Sequence, residues 1–182
     1  MSLIQTCPHC AASRPSRRAV VTALAAAAVL SAPLAAAATA DDEGFMRMAI
    51  EEARLADFPF GAVIVRDGAV IARGRNLGRS TGDPTAHGEM VAIRSAVAAH
   101  DGRAALKGAT IYTSGEPCAM CMGAILWCGL RRLVYAASLA QLASKIDQIM
   151  ITSADLAAKA SFAPIAITGG VLADEAMRLF AK

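Results

Sequence analysis

The stretch Glu116-Pro117-Cys118-Ala119-Met120-Cys121 restricts the fold more than any other in the sequence. Proline suits a helix opening, and residues three apart share a helix face, so the two sulfurs stand about one turn apart on one side. The free N–H groups and positive dipole end of a helix start favour thiolates, the form that binds metal. Two thiolates leave a zinc ion under-coordinated, so a third ligand must arrive from elsewhere in the chain. The nearest strong candidate is His87, in Pro84-Thr85-Ala86-His87-Gly88-Glu89-Met90, where Asp83 is placed to cap a helix and Pro84 to open it. Uniting His87 with Cys118 and Cys121 requires two helix starts to converge at one edge of a sheet, as parallel topology arranges. The resulting Cys₂His set keeps its fourth position open, which is the pattern of a catalytic zinc site rather than a structural one.

Glu89 follows His87 by two positions, and helix neighbours are three or four apart. The glutamate therefore points around the helix, away from the metal–ligand bond, and is free to reach a water at the open position. Zinc lowers the pKa of such a water to about 7, and a carboxylate beside it takes and passes on the proton. Each part has a plainer reading when taken alone. The cysteines would be a structural zinc site or a buried thiol pair, His87 a satisfied core or surface histidine, and Glu89 a solvated first-turn acid. Their company favours the site.

Elsewhere the pattern alternates helix and strand. Met46, Ala49, Ile50 and Ala53 recur at helical intervals, predicting an amphipathic helix over 43–57. Two β-branched runs joined by Asp67-Gly68 predict a hairpin, and "GRSTGDPTA" reads as a loop that includes Arg79. In the helix opened by Pro84, the expected buried stripe is Ala86, Met90, Ile93 and Val97. "ATIYTS", "RRLVYAA" and "APIAITGG" read as strands, "CAMCMGAILWC" as a helix stopped by Gly129, "SLAQLAS" as a short helix and "VLADEAMRLFA" as a closing one. This pattern predicts a three-layer α/β/α domain around a mixed sheet of about five strands, antiparallel at the hairpin and parallel later. Cys128 reads as a small core residue and His100 as a surface one. Phe58, Phe60 and Trp127 are open to either core packing or stacking on a planar ligand.

Residues 1–40 read as an export signal preceding a domain over 41–182. Twin arginines, Arg17 and Arg18, precede "AVVTALAAAAVL", an apolar run too short to span a bilayer comfortably. The small residues of "AAAATA" then fit cleavage after Ala38 or Ala40, so a twin-arginine signal, a periplasmic location and no lasting membrane anchor are expected, with an ordinary secretory signal and then an uncleaved anchor as the rival readings. "CPHC" at Cys7–Cys10 lies in this leader without a redox-fold context and reads as chance. The leader also explains the charge. Taking its three arginines from the eighteen basic residues leaves fifteen, against fifteen acidic ones, so the domain is neutral. Five cysteines in this arrangement exclude a secreted disulfide scaffold.

His87-Gly88-Glu89 and Pro117-Cys118-Ala119-Met120-Cys121 together resemble the H-x-E…P-C-x-x-C signature of the cytidine deaminase superfamily. The resemblance extends over almost all of 45–180 and implies the cytidine-deaminase-like fold. By that likeness His87, Cys118 and Cys121 bind zinc and Glu89 is the proton shuttle. Hydroxide attacks an amino-bearing ring carbon, and Glu89 protonates the ring nitrogen and then the departing ammonia. Asn76 matches a position where relatives hydrogen-bond the base. Gly88 stands where relatives usually carry alanine.

"FPFGAVIVRDGAVIARGRN", "DPTAHGEMVAIR" and "IYTSGEPCAMCMGAILW" look most like bacterial guanine deaminases and somewhat less like tRNA adenosine deaminases. "ITGGVLADEAMRLF" and Gly115, where guanine deaminases often have cysteine, pull the other way. Structured RNA is bound largely by neutralising phosphates, and a neutral exported domain does not suit it. The expected substrate is therefore a small nucleobase, guanine, deaminated to xanthine. A tRNA adenosine deaminase, a cytosine or nucleoside deaminase, and a non-catalytic zinc-binding domain follow in that order. Likeness also implies a homodimer.

Overall fold

The computed structural model describes residues 39–181; the export segment expected over 1–40 lies outside them apart from Thr39 and Ala40. Five strands form one mixed sheet: β1 (Gly61–Arg66), β2 (Ala69–Arg75), β3 (Thr110–Gly115), β4 (Arg132–Ala137) and β5 (Ala166–Gly169). Their order is β2-β1-β3-β4-β5. β1 is antiparallel to both β2 and β3, whereas β3, β4 and β5 run parallel. The β1–β2 turn is made by Asp67 and Gly68, both at positive φ (52° and 76°), as a tight Asp-Gly hairpin requires.

The helices are α1 (Ala40–Arg54), α2 (Gly78–Thr81), α3 (Gly88–Ala99), α4 (Ala119–Cys128), α5 (Leu139–Ala143), α6 (Ser153–Lys159) and α7 (Ala173–Met177). Strand alternation divides the core between two faces. Ile64, Ile111 and Leu133 pack with Ile93 of α3 and with Met122 and Ile125 of α4. Val63, Tyr112 and Val134 pack with Met46, Ala49 and Ile50 of α1 and with Ala176 of α7. These are the three expected layers.

α1 begins earlier than the periodicity alone predicts. The Thr39 N–H donates to Asp42 Oδ2 at 2.6 Å, and the buried Asp42 also receives Arg132 (2.6 and 2.9 Å) and the Tyr112 hydroxyl (2.9 Å). One carboxylate thus bolts the first turn of α1 to β3 and β4.

α3 departs from expectation in its start and its buried face. Asp83 does not cap it. Its Oδ1 instead accepts from the N–H (2.8 Å) and hydroxyl (2.6 Å) of Thr85, a local turn that holds Pro84 and Thr85 outside the helix. The helix starts at Gly88 with His87 as N-cap, and it buries Gly88, Glu89, Ala92, Ile93 and Ala96. Val97, expected inside, is exposed, and Met90 is only half-buried. The cause is close approach to β2. A Cβ on Gly74 would stand 2.3 Å from Ala92 N and Gly88 O, so β2 lies hard against the helix backbone at Gly88 and Ala92 and sets which face is buried.

The loop expected around Arg79 contains the single turn of α2, while Arg73 and Arg75 lie on β2 with Glu52 at 3.9 and 3.8 Å. α6, absent from the reading above, is announced by the capping box Thr152-Ser153-Ala154-Asp155. The closing helix is shorter than expected and ends in a 3₁₀ turn over Arg178–Phe180.

Candidate metal centre and active site

Strand register brings the candidate residues to one edge of the sheet. Gly61, at the start of β1, pairs with Arg75 at the end of β2, and Ala62 pairs with Thr113 near the end of β3. The chain leaves β2 through Asn76 towards His87, and leaves β3 through Glu116 and Pro117 into Cys118. His87 and Cys118 are both N-caps in extended conformation (φ −67°, ψ 158° and φ −63°, ψ 168°), one step before the first-turn positions expected. Each leaves its side chain uncommitted to the helix: the carbonyls of His87 and Cys118 accept from Val91 and Met122, and neither side chain caps.

His87 Nδ1 lies 3.7 Å from Cys118 Sγ and 3.6 Å from Cys121 Sγ, and the three atoms are within 4.8 Å of one another. Zinc bonded to sulfur at about 2.3 Å and to nitrogen at about 2.0–2.1 Å, in tetrahedral geometry, sets that N···S separation at about 3.6 Å. The donor set therefore fits zinc in identity, number and spacing. Cys121 is fully buried and Cys118 half-buried. A hydrogen bond from Cys121, reinforced by His87, holds the Cys118 thiol down to about 4, and the Cys118 side chain in turn raises His87. Cys121 is pushed up by its bond to Cys118 and by burial. Both sulfurs bind metal as thiolates, so metal binding releases whatever thiol protons remain and its affinity depends on pH.

Glu89 is buried in the first turn of α3. Desolvation raises its carboxyl above the usual carboxylate range; Cys118 adds to the rise, while His87 and a hydrogen bond with Cys121 oppose it. Asn76 is buried at the same edge: its N–H donates to Phe60 O (2.9 Å) and its Oδ1 accepts from Gly78 N (3.0 Å). Its side-chain N–H₂ makes no hydrogen bond among the described residues, which leaves two donors for a ligand.

Residues 39–137, over half of the chain, match the sequence model of the cytidine and deoxycytidylate deaminase zinc-binding region. The chain belongs to this deaminase family. Over 79 residues it is 52% identical to the guanine deaminase of Bacillus subtilis, covering 43% of this chain and 50% of that one. Over 97 residues it is 47% identical to the tRNA-specific adenosine deaminase of Agrobacterium fabrum, covering 51% of this chain and 63% of the other. The chain thus spans between half and two thirds of the length of these two relatives. The guanine deaminase of Nitrosomonas europaea shares the fold with a TM-score of 0.69 at 27% identity, covering 84% of this chain and 87% of that structure.

Gly88 has little room for a side chain. A Cβ there would stand 2.9 Å from Phe60 O and 3.2 Å from Gly61 Cα, because the entry to β1 lies directly against the start of α3. Gly115 is similar: a Cβ would meet Phe60 and Leu142 at 3.0 Å. The aromatic ring at 60, itself packed edge-on against Phe180, fills the space that a side chain at 115 would need.

Of the other candidates, Phe58 is exposed with the Arg79 guanidinium 5.4 Å from its ring centroid, and Trp127 is exposed against Phe162, so neither is a core residue. Cys128 is half-buried against the core, and His100 is exposed, its Nε2 3.0 Å from Ile71 O. Glu116 received no role from the sequence. It is buried and accepts from Leu139 N and Ser153 N, both at 2.8 Å. Its place inside the cysteine motif was the available signal.

Proposed function

We propose that the chain is a zinc-dependent aminohydrolase of a small nucleobase, with guanine the substrate and xanthine and ammonia the products. The observation that carries the reading is a ligand set of His87, Cys118 and Cys121 adjoining one buried carboxylate, Glu89. When bound, zinc supplies the Lewis acidity that makes water a nucleophile near neutral pH.

Glu89 does the proton work. As water adds to the amino-bearing ring carbon, the carboxylate takes the proton that water loses and delivers it to the adjacent ring nitrogen. A second proton goes by the same route to the amino group, which leaves as ammonia. A carboxyl whose pKa burial has raised suits both halves of this task, since it exchanges protons nearer neutrality. Asn76 orients the base through its free N–H₂ group.

The substrate assignment draws on the Bacillus relative and on a solved neighbour that holds 8-azaguanine, with a TM-score of 0.68 at 28% identity. The Agrobacterium relative favours a second reading, tRNA adenosine deamination. Against it stands the neutral charge from Asp41 onward, since structured RNA is bound largely by neutralising phosphates. The homodimer belongs to the same proposal. Val97 of α3 and Met120 and Trp127 of α4 expose apolar side chains on the helices that begin at the ligands, with Phe162 beside Trp127.

Ammonia release by zinc-loaded protein, measured over a panel of free bases, nucleosides and an anticodon stem-loop, tests the assignment. Guanine is the expected substrate; turnover of the stem-loop alone would give the second reading the case.

A further inference from the structure

We infer that Glu116 is a positioning residue for the metal centre: its buried carboxylate fixes the turn that presents Cys118 and ties it to the starts of α5 and α6. The inference rests on the zinc reading above and concerns what holds the ligands in place.

Glu116 is anchored at both ends. Its backbone N–H donates to Ala137 O at 2.7 Å, which extends the β3–β4 pairing past the last strand residue. Its Oε2 accepts from Leu139 N and its Oε1 from Ser153 N, at 2.8 Å each. Leu139 and Ser153 are the first residues of α5 and α6, whose opening N–H groups have no partner within the helix. Ser138 and Thr152 satisfy the third N–H groups, those of Gln141 and Asp155 (3.3 and 3.1 Å), and Glu116 takes the first. A single buried carboxylate therefore completes two caps, and its own charge is met by two donors from distant parts of the chain.

Between this anchor and the metal-binding sulfur stand only Pro117, whose ring fixes φ, and Cys118 in its extended cap conformation. Little rotational freedom remains to absorb a shift of Glu116, so a shift there moves Cys118 Sγ relative to His87 Nδ1. Groups that hold metal ligands in place, without touching the metal, typically govern affinity by about 10- to 100-fold.

The test compares zinc affinity by chelator competition, and the absorption of the cobalt-substituted protein, in wild type, Glu116→Gln, Ser153→Pro and Ser153→Ala. Glu116→Gln keeps one acceptor oxygen and turns an NH₂ group towards a backbone N–H. It should weaken zinc binding by about 10- to 100-fold, alter the thiolate-to-cobalt band, and lower kcat with KM for the base near wild type. Ser153→Pro removes one donor to Oε1 at a first-turn position that tolerates proline, and Thr152 before it is already extended (ψ 158°). It should reproduce the loss. Ser153→Ala keeps the N–H and removes only a buried hydroxyl without a hydrogen-bond partner among the described residues, so its zinc affinity should match wild type.

If Glu116→Gln folds and binds zinc as tightly as wild type, the inference is overturned, even should its melting temperature fall. If that variant does not fold, Ser153→Pro binding zinc as tightly as Ser153→Ala overturns it instead. Wild-type protein that binds no zinc would sink the metal assignment itself.

Discussion

Glu89 and Gly88 carry separate predictions although they are neighbours. Glu89→Gln removes the group that moves protons but none of the donors to the metal, so ammonia release should fall by about 10²- to 10⁴-fold at unchanged zinc content. Activity equal to wild type in that variant would remove Glu89 from the mechanism. Gly88→Ala gains up to about 1 kcal/mol of helix propensity. Against this, its Cβ would press on the Phe60 carbonyl at 2.9 Å, and overpacking of this kind costs about 1–3 kcal/mol. The clash should win. Because the same carbonyl accepts the Asn76 N–H, denaturant unfolding should show a loss of stability and kinetics a raised KM for the base. At this scale the sequence was informative wherever a residue type had few other uses. A histidine, a glutamate and two cysteines at these spacings narrow the chemistry, and the structure brings all four together. Glu116 caps helices that start at Leu139 and Ser153, so its place inside the cysteine motif marked the residue but not that role. The reason for Gly88 lies in the entry to β1, 27 positions earlier in the sequence.

At the scale of elements, the strands, the hairpin and α4 follow from local chemistry: β-branched runs, Asp67-Gly68, and Gly129 in the left-handed conformation (φ 80°) closing the helix. α3 does not, because the face it buries is chosen by contact with β2 rather than by hydrophobicity. Asp42 decides how α1 joins the sheet. It is 1% exposed and bonded twice to Arg132, whose side chain is 22% exposed. Removing one partner of a buried pair costs about 3–5 kcal/mol, and the partial exposure of Arg132 puts Asp42→Asn at the lower end, about 3 kcal/mol. The pair also sets an acid limit. The Arg132 guanidinium, hydrogen-bonded to it, holds the Asp42 carboxyl well below the usual carboxylate range. A group lowered by folding contributes stability that is fully present above its unfolded value, about pH 3.9, and that drains away as pH falls further. Wild-type stability should therefore fall steeply below about pH 4, and Asp42→Asn should show a shallower acid slope. Parallel slopes would contradict this account of the α1 anchor.

For the whole molecule, the fold class was legible because helix and strand alternate after the hairpin. The leader was read from Arg17, Arg18 and the small residues before Asp41, whereas the dimer came only from likeness to the family. The proposed dimer predicts that sedimentation will find two copies and that Trp127→Glu will give monomers. The proposed export predicts a mature N-terminus at Thr39 or Asp41 and retention when Arg17 and Arg18 are both changed to lysine. Chelating the metal should lower the melting temperature, because binding to the folded state alone stabilises it. The most direct test of the account is X-ray absorption at the zinc edge of the purified protein. It should find two sulfurs at about 2.3 Å and two lighter neighbours at about 2.0–2.1 Å, one of them an imidazole nitrogen. A shell of three or four sulfurs, or one without imidazole, would mean a closed structural site and would contradict the enzyme described above.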